Sequence, residues 1–183
     1  MKKLLNTLLP FCLFCMLTAS KCKKDELPPE TQEGKNTFGC LVDGVIFSPK
    51  GGGIAPNLTC AYQYLNSQSS SGYFFQLSAS ASGSGRELRS ISIATDSLEV
   101  REGNVYPLIK SKKGTASAQY LFFPNRGILK EYNTTDTITG ELFIKKMDMT
   151  RKIVSGTFWF DLINENGEKI QVREGRFDMN FTL

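Results

Sequence analysis

The chain has 183 residues, of which 22 are Lys or Arg, 18 are Asp or Glu and none is His, so its formal net charge is +4 at pH 7. Without histidine it lacks the commonest general base and transition-metal ligand, which excludes Ser-His and Cys-His nucleophile pairs. Its length is sufficient for one domain that buries a core without heavy disulfide support.

An apolar leader opens the chain. Lys2 and Lys3 precede a mostly apolar run from Leu4 to Leu17, and small residues follow that run. This order of basic, apolar and small residues is typical of a secretory signal peptide. The run is also too short to cross roughly 30 Å of hydrocarbon comfortably as a helix. The sequence therefore predicts export, with a signal peptide over residues 1–21.

Two forms of processing remain open at the cysteine that follows. Cleavage before Cys22 would leave its thiol acylated, whereas cleavage after Ser20 would release a freely secreted protein. Acylation of Cys22 leaves two further cysteines, Cys40 and Cys60, in an oxidising compartment, whereas free secretion leaves three thiols there. An even number suits pairing, so we predict a lipid anchor on Cys22 and a disulfide between Cys40 and Cys60. Two buried, unpaired thiols are the alternative to the disulfide.

The basic excess lies mostly in the leader. Removal of Lys2, Lys3 and Lys21 with the signal leaves 19 basic against 18 acidic side chains. Such a nearly neutral chain has no electrostatic need for nucleic acid or for an acidic membrane surface. We therefore expect no nucleic-acid partner, and attachment to a membrane through the lipid alone.

A short polar segment separates the leader from the domain. Residues 22–36 are charged and polar, contain Pro28 and Pro29, and show no apolar periodicity. This composition is typical of a flexible tether. The sequence therefore predicts a tether over residues 22–36 and one domain over residues 37–183.

From Thr37 onward the apolar residues recur with period two, which is typical of half-buried strands. No long window shows the periodicity of a helix. We expect an all-β domain of about nine or ten antiparallel strands, and the pattern leaves both a β-sandwich and a barrel open. The candidate strands are residues 37–42, 45–47, 58–65, 73–81, 91–93, 105–109, 116–123, 142–144, 154–162, 169–172 and 177–183.

Three dipeptides are predicted to close tight connections between these strands. They are Asp43-Gly44, Asn166-Gly167 and Glu174-Gly175, whose residues adopt positive φ readily. The hairpin that contains Asn166-Gly167 is the most clearly marked, because apolar runs flank it on both sides.

Trp159 is the candidate for ligand contact. It shares the polar face of its predicted strand with Thr157 and Asp161. An exposed Trp beside polar neighbours is suited to stack on a sugar or to anchor a protein partner. Cover from a neighbouring loop or a second sheet is the alternative interpretation.

Catalytic and metal-binding patterns are weak. Asp161 with Glu165 or Glu168 is the nearest carboxylate pair of the kind that hydrolyses a glycosidic bond. These residues flank a predicted hairpin, however, where charged side chains are expected for solubility alone. We therefore expect no enzyme, no cofactor and no metal site.

Both ends of the chain resemble one family. The segments Cys22 to Pro29 and Thr31 to Gly44, with Ile153 to Phe158 and Glu174 to Asp178 near the end, are similar to a family of small Bacteroidetes lipoproteins of unknown function. Lys24-Asp25-Glu26 resembles the signal that exports such lipoproteins to the outside of the outer membrane. The resemblance implies a lipid-anchored, surface-exposed protein and transfers no catalytic residue.

Together these observations predict an exported, lipid-anchored protein of the cell envelope with a non-catalytic binding or structural role. Its partner would be a glycan or an envelope protein. Two alternatives remain: a histidine-independent carboxylate hydrolase acting on glycans, and a barrel that carries a small apolar ligand.

Overall fold

The computed structural model describes residues 26–49, 57–66, 71–83, 87–124 and 127–183. The predicted signal peptide over residues 1–21 and the predicted lipidation site at Cys22 lie outside the described residues. The part that is described forms eleven β-strands and no helix, which confirms the predicted all-β class.

The sequence predicted about nine or ten strands, and the structure has eleven in its described part. They are β1 (Thr37–Val42), β2 (Val45–Phe47), β3 (Leu58–Asn66), β4 (Ser71–Ser82), β5 (Leu88–Asp96), β6 (Val105–Leu108), β7 (Thr115–Phe123), β8 (Lys130–Asn133), β9 (Gly140–Asp148), β10 (Ile153–Ile163) and β11 (Lys169–Asn180).

All eleven strands belong to one sheet. The order of pairing is β2-β1-β11-β10-β9-β6-β7-β5-β4-β3, and β8 lies beside β7 and β10. Neighbouring strands are antiparallel except β6 and β7, which are parallel. Beyond β11, Thr182 accepts a hydrogen bond from the Tyr62 amide at 2.8 Å and donates one to the Cys60 carbonyl at 3.0 Å. The end of the chain thus reaches the strand at the far end of the path, and the sheet is barrel-like.

The inward-facing residues fill the interior. On β4 and β5, Phe75, Leu77, Ile91 and Ile93 are completely buried, as their alternation predicts. Burial of each large apolar side chain contributes about 1.5–3 kcal/mol relative to exposure. Aromatic contacts join distant strands; the rings of Phe75 and Phe177, for example, lie 6.4 Å apart. The core therefore connects both halves of the sheet.

Two of the three predicted turns are confirmed. Asp43 and Gly44 join β1 to β2 with φ angles of 49° and 78°. The β10–β11 hairpin turns at Asn164 to Gly167, where the Asn164 amide donates to the Glu168 carbonyl at 3.0 Å. Gly167 has a φ of 82°, which glycine adopts without steric cost.

The third prediction is wrong, because Glu174-Gly175 lies inside β11 and not at a turn. Phe158 of β10 pairs with Gly175, and Phe160 pairs with Val172, so β11 carries a β-bulge between these two pairs. Glu174 takes the left-handed conformation there, with φ 52°. A Cβ atom on Gly175 would overlap the Phe158 ring. The bulge therefore keeps one long strand where two short ones were expected.

The predicted disulfide is absent from the described residues. Cys40 and Cys60 are both free and buried. Cys40 pairs across the ladder with Phe47 of β2, and Cys60 pairs with Leu77 of β4, so the two thiols lie on strands that are not neighbours. Burial raises the pKa of the Cys60 thiol to about 12. Both side chains behave as small apolar residues of the core.

The N-terminal segment is fixed to the domain by a buried carboxylate. Asp178 on β11 is only 1% exposed. Its carboxylate accepts hydrogen bonds from the Thr31 hydroxyl at 2.5 Å and from the amides of Glu33 at 3.0 Å, Gly34 at 2.7 Å and Lys35 at 3.2 Å. Four donors from one short segment therefore converge on a single side chain.

Further contacts hold the same segment along its length. The main-chain N–H of Asn180 donates to Asn36 Oδ1 at 2.9 Å. The side-chain amide of Asn180 donates to the Gly34 carbonyl at 2.5 Å. Nearer the N-terminus, Pro28 packs so closely on Gly39 that a Cβ atom there would overlap it. Residues 27–36 are thus part of the domain, so the prediction of a flexible tether over residues 22–36 is wrong for this range, and residues 22–25 lie outside the described part of the chain. The composition of the segment gave no sign of these contacts, because most of its donors are backbone amides.

The hydrogen bonds determine the charge state of Asp178. Burial by itself raises the pKa of this carboxyl, but the bonds from Thr31, Glu33, Gly34 and Lys35 outweigh it and hold the pKa below its usual value. Across the ladder, the buried hydroxyls of Thr37 and Ser155 have no partner among the described residues. The carboxylate is therefore stabilised by the N-terminal segment and not by its strand neighbours.

We expect Asp178→Ala to lower the free energy of unfolding by about 3 kcal/mol near neutral pH, because it removes charge-assisted hydrogen bonds and leaves donors unpaired. The pKa of Asp178 is lower in the folded chain than in the unfolded chain, where it is about 3.9. Its stabilisation is therefore present above about pH 4 and is lost as the pH falls through the folded pKa. Urea unfolding curves at a series of pH values would measure both effects.

The matched control is Asp136→Ala, which removes an exposed carboxylate whose ion pair with Lys112 spans 3.4 Å. We expect a change within about 1 kcal/mol for this variant. Equal effects of the two substitutions, or an Asp178→Ala variant that keeps the wild-type acid sensitivity, would contradict the role given to Asp178.

Candidate functional site

Trp159, the one tryptophan of the chain, lies at the surface on the outer face of β10. Its side chain is 39% exposed, so the structure places it where the sequence predicts. Directly opposite on β9 is Glu141. The indole N–H donates to Glu141 Oε2 at 3.2 Å, which fixes the orientation of the ring.

Arg173 of β11 covers part of the same ring. Its guanidinium carbon lies 5.5 Å from the centre of the indole, at the distance of a cation–π contact. The guanidinium also contacts Asp161 at 2.5 Å and donates to the carbonyl of Phe160 at 3.0 Å. Trp159 is therefore held between a carboxylate and a guanidinium that has partners of its own.

The bulge in β11 creates this arrangement. Because Phe158 pairs with Gly175 and Phe160 with Val172, the two residues Arg173 and Glu174 lie opposite Trp159. A regular ladder would place a single residue there. Sequence analysis identified Trp159 but missed Glu141 and Arg173. Their positions depend on strand register, for which the amino-acid pattern carries no signal.

A cleft of about 330 Å³ adjoins the indole ring. One side comes from the N-terminal segment, where the Glu30 carboxylate pairs with Lys145 of β9. The hydrogen bond from Lys145 is the main reason that the pKa of Glu30 is lowered. The charged residues that line the cleft are Glu30, Glu141, Glu174 and Arg176.

Two of the three carboxylates considered for catalysis, Asp161 and Glu168, are engaged by other side chains. Asp161 pairs with Arg173, as above. Glu168 instead accepts hydrogen bonds from Lys130 at 3.1 Å, from Tyr132 at 2.9 Å and from Asn164 at 2.8 Å. The hydrogen bond from Lys130 is the first cause of a lowered pKa at Glu168, whereas a general acid needs a raised one.

No metal centre is found in the described part of the chain, where no three of its Cys, Asp and Glu side chains form a group that would hold an ion. Within the same ranges, no helix is long and apolar enough to span a membrane.

The chain was compared with protein-family models, with curated proteins and with solved structures, and no match was found. The resemblance to Bacteroidetes lipoproteins therefore stays a prediction.

Proposed function

We propose that the protein is an exported, lipid-anchored component of the cell envelope that binds a partner without catalysis. The observation that carries this proposal is Trp159, an exposed indole ring that the fold holds in one orientation beside a cleft. Aromatic rings in such positions contribute large contact areas at low cost in side-chain entropy.

The surroundings of the ring favour a binding role. Glu141 and Arg173 fix the indole before any partner arrives, so little conformational freedom is lost when a partner binds. The Arg173 guanidinium already pairs with Asp161. The part of the indole that Arg173 leaves uncovered is therefore the main surface available to a partner. A sugar ring with an apolar face and hydroxyl groups suits this surface, and so does an apolar side chain of an envelope protein.

The fixed N-terminal segment determines how an anchor would position the domain. Leu27 and Pro28 pack on Gly39, so only five peptide links separate the proposed lipid on Cys22 from the folded domain. Even fully extended, these span about 17 Å. An acylated Cys22 would thus hold the domain close to the membrane surface. Glu30 lines the Trp159 cleft, so the cleft would lie at the membrane-proximal side, within reach of envelope partners.

The structure favours this proposal over the two alternatives. A barrel that carries an apolar ligand needs an empty interior, whereas side chains such as Phe75 and Leu77 fill the interior here. Glu168 is held as a carboxylate by three donors, which supports a hydrolase poorly. The outer membrane as the place of anchoring is supported by the resemblance of Lys24-Asp25-Glu26 to an export signal.

Cys22→Ala tests the anchor. We expect the wild-type chain to fractionate with outer membranes and to carry acyl chains on its N-terminal cysteine, because the thioether-linked lipid supplies the membrane affinity. The variant should lose the acyl mass and leave the membrane fraction. Cys40→Ala is the matched control, since its buried thiol has no part in anchoring. A wild-type chain without acyl mass in its mass spectrum would overturn the proposed anchor.

Trp159→Ala tests the binding site. The probes are an array of purified glycans and detergent-solubilised outer-membrane proteins, and titration calorimetry measures their affinity for the wild type and for each variant. We expect the substitution to weaken binding by about 30-fold or more, equivalent to about 2 kcal/mol.

Tyr64→Ala is the control for this test, because it removes another exposed aromatic ring, on β3. It should leave the affinity unchanged. Binding that survives Trp159→Ala, or that falls equally with Tyr64→Ala, would contradict the proposed site.

A further inference from the structure

A second cavity lies on the outer face of the sheet, away from the Trp159 cleft. It is a groove of about 730 Å³, and it shares no lining residue with that cleft. Its floor crosses β4, β5 and β7 and includes Gln76, Ser92, Ser117 and Gln119. The loop after β6 and the loop after β8 form its walls.

Buried Thr134 locks the walls to the floor. Its hydroxyl donates to the Ile109 carbonyl at 2.6 Å and accepts from the Ala118 amide at 3.0 Å. The Thr134 amide in turn donates to the Ala118 carbonyl at 3.0 Å. An ion pair between Lys112 and Asp136 also joins the two loops. The groove is therefore formed in advance, which lowers the entropic cost of binding.

The lining matches a ligand rich in hydroxyl groups. Apart from alanines, its side chains are Gln, Asn, Ser, Thr, Lys and Asp, so an apolar ligand would find no apolar side chain larger than a methyl group. The side chains of Gln76 and Ser117 make no hydrogen bond to other described residues. The side-chain Nε2 of Gln119 donates to Asn133 Oδ1 at 3.1 Å, which fixes the orientation of the Gln119 side-chain amide. The floor thus offers the uncommitted donors and acceptors of Gln76 and Ser117 beside a Gln119 side chain that is held in one orientation.

The charge of the groove indicates one anionic group on the ligand. Asp136 is paired with Lys112, as described. Lys110 also lines the groove, and its ammonium group has no ion-pair partner in the described part of the chain. A carboxylate would compensate this charge through a charge-assisted hydrogen bond.

We propose that this groove binds a hydroxyl-rich saccharide that carries a carboxylate, with the carboxylate at Lys110 and the hydroxyls along Gln76 and Ser117. The site is independent of the contact proposed for Trp159. A peptide is the less suitable occupant, since the groove offers no pocket for apolar side chains.

The test uses galacturonic acid, which carries one carboxylate, as the probe and its methyl ester as the uncharged comparison. Titrations followed by calorimetry and by amide chemical shifts should show that the acid binds more tightly than the ester. Lys110→Gln should weaken binding of the acid by about tenfold and leave binding of the ester unchanged, because only the acid uses the cation.

Lys113→Gln is the matched control, since it removes an exposed lysine of the same loop that does not line the groove. It should change neither affinity. Gln76→Ala should weaken the acid and the ester by the same few-fold factor, and Trp159→Ala should affect neither. The proposal is overturned if the ester binds as tightly as the acid, if Lys110→Gln and Lys113→Gln have equal effects, or if the probe shifts no amide in the groove.

Discussion

The structure depends on a negative charge that is buried beneath the N-terminal segment. An isolated carboxylate at the position of Asp178 would cost several kcal/mol of desolvation. Thr31 and three consecutive amides remove that cost, and they do so only while residues 31–35 stay in place. The last strand therefore requires the first segment. The segments at the two ends that carry the family resemblance meet here in space, which gives them a structural role.

The same region organises the candidate site. β11 holds the N-terminal segment through Asp178, and its bulge places Arg173 and Glu174 opposite Trp159. Glu30 from that segment completes one side of the cleft. The aromatic contact and the charged side chains around it thus depend on one strand. The groove at Lys110 is built from other strands, β4, β5 and β7, and from the loops after β6 and β8. It gives the domain a second surface, which is lined by polar side chains and not by an aromatic ring.

Alternation of apolar residues was sufficient to predict the all-β class, most strands and the β10–β11 hairpin, because period-two burial is encoded in each strand by itself. β8 was missed since Tyr132 is the one apolar residue in its Lys-Glu-Tyr-Asn sequence. An even number of cysteines indicates that pairing is chemically possible, but it carries no information on the distance between two thiols. The predicted disulfide between Cys40 and Cys60 was therefore wrong. Trp159 was found from its polar neighbours, whereas Glu141 and Arg173 become visible only through strand register.

The central claim is that residues 31–35 belong to the folded domain because Asp178 binds their donors. Amide hydrogen exchange measures this most directly. The amides of Glu33, Gly34 and Lys35 should exchange roughly a hundredfold more slowly than in an unfolded chain, which corresponds to about 2.7 kcal/mol of local stability. Exchange of these three amides at the unfolded rate near neutral pH would contradict the account.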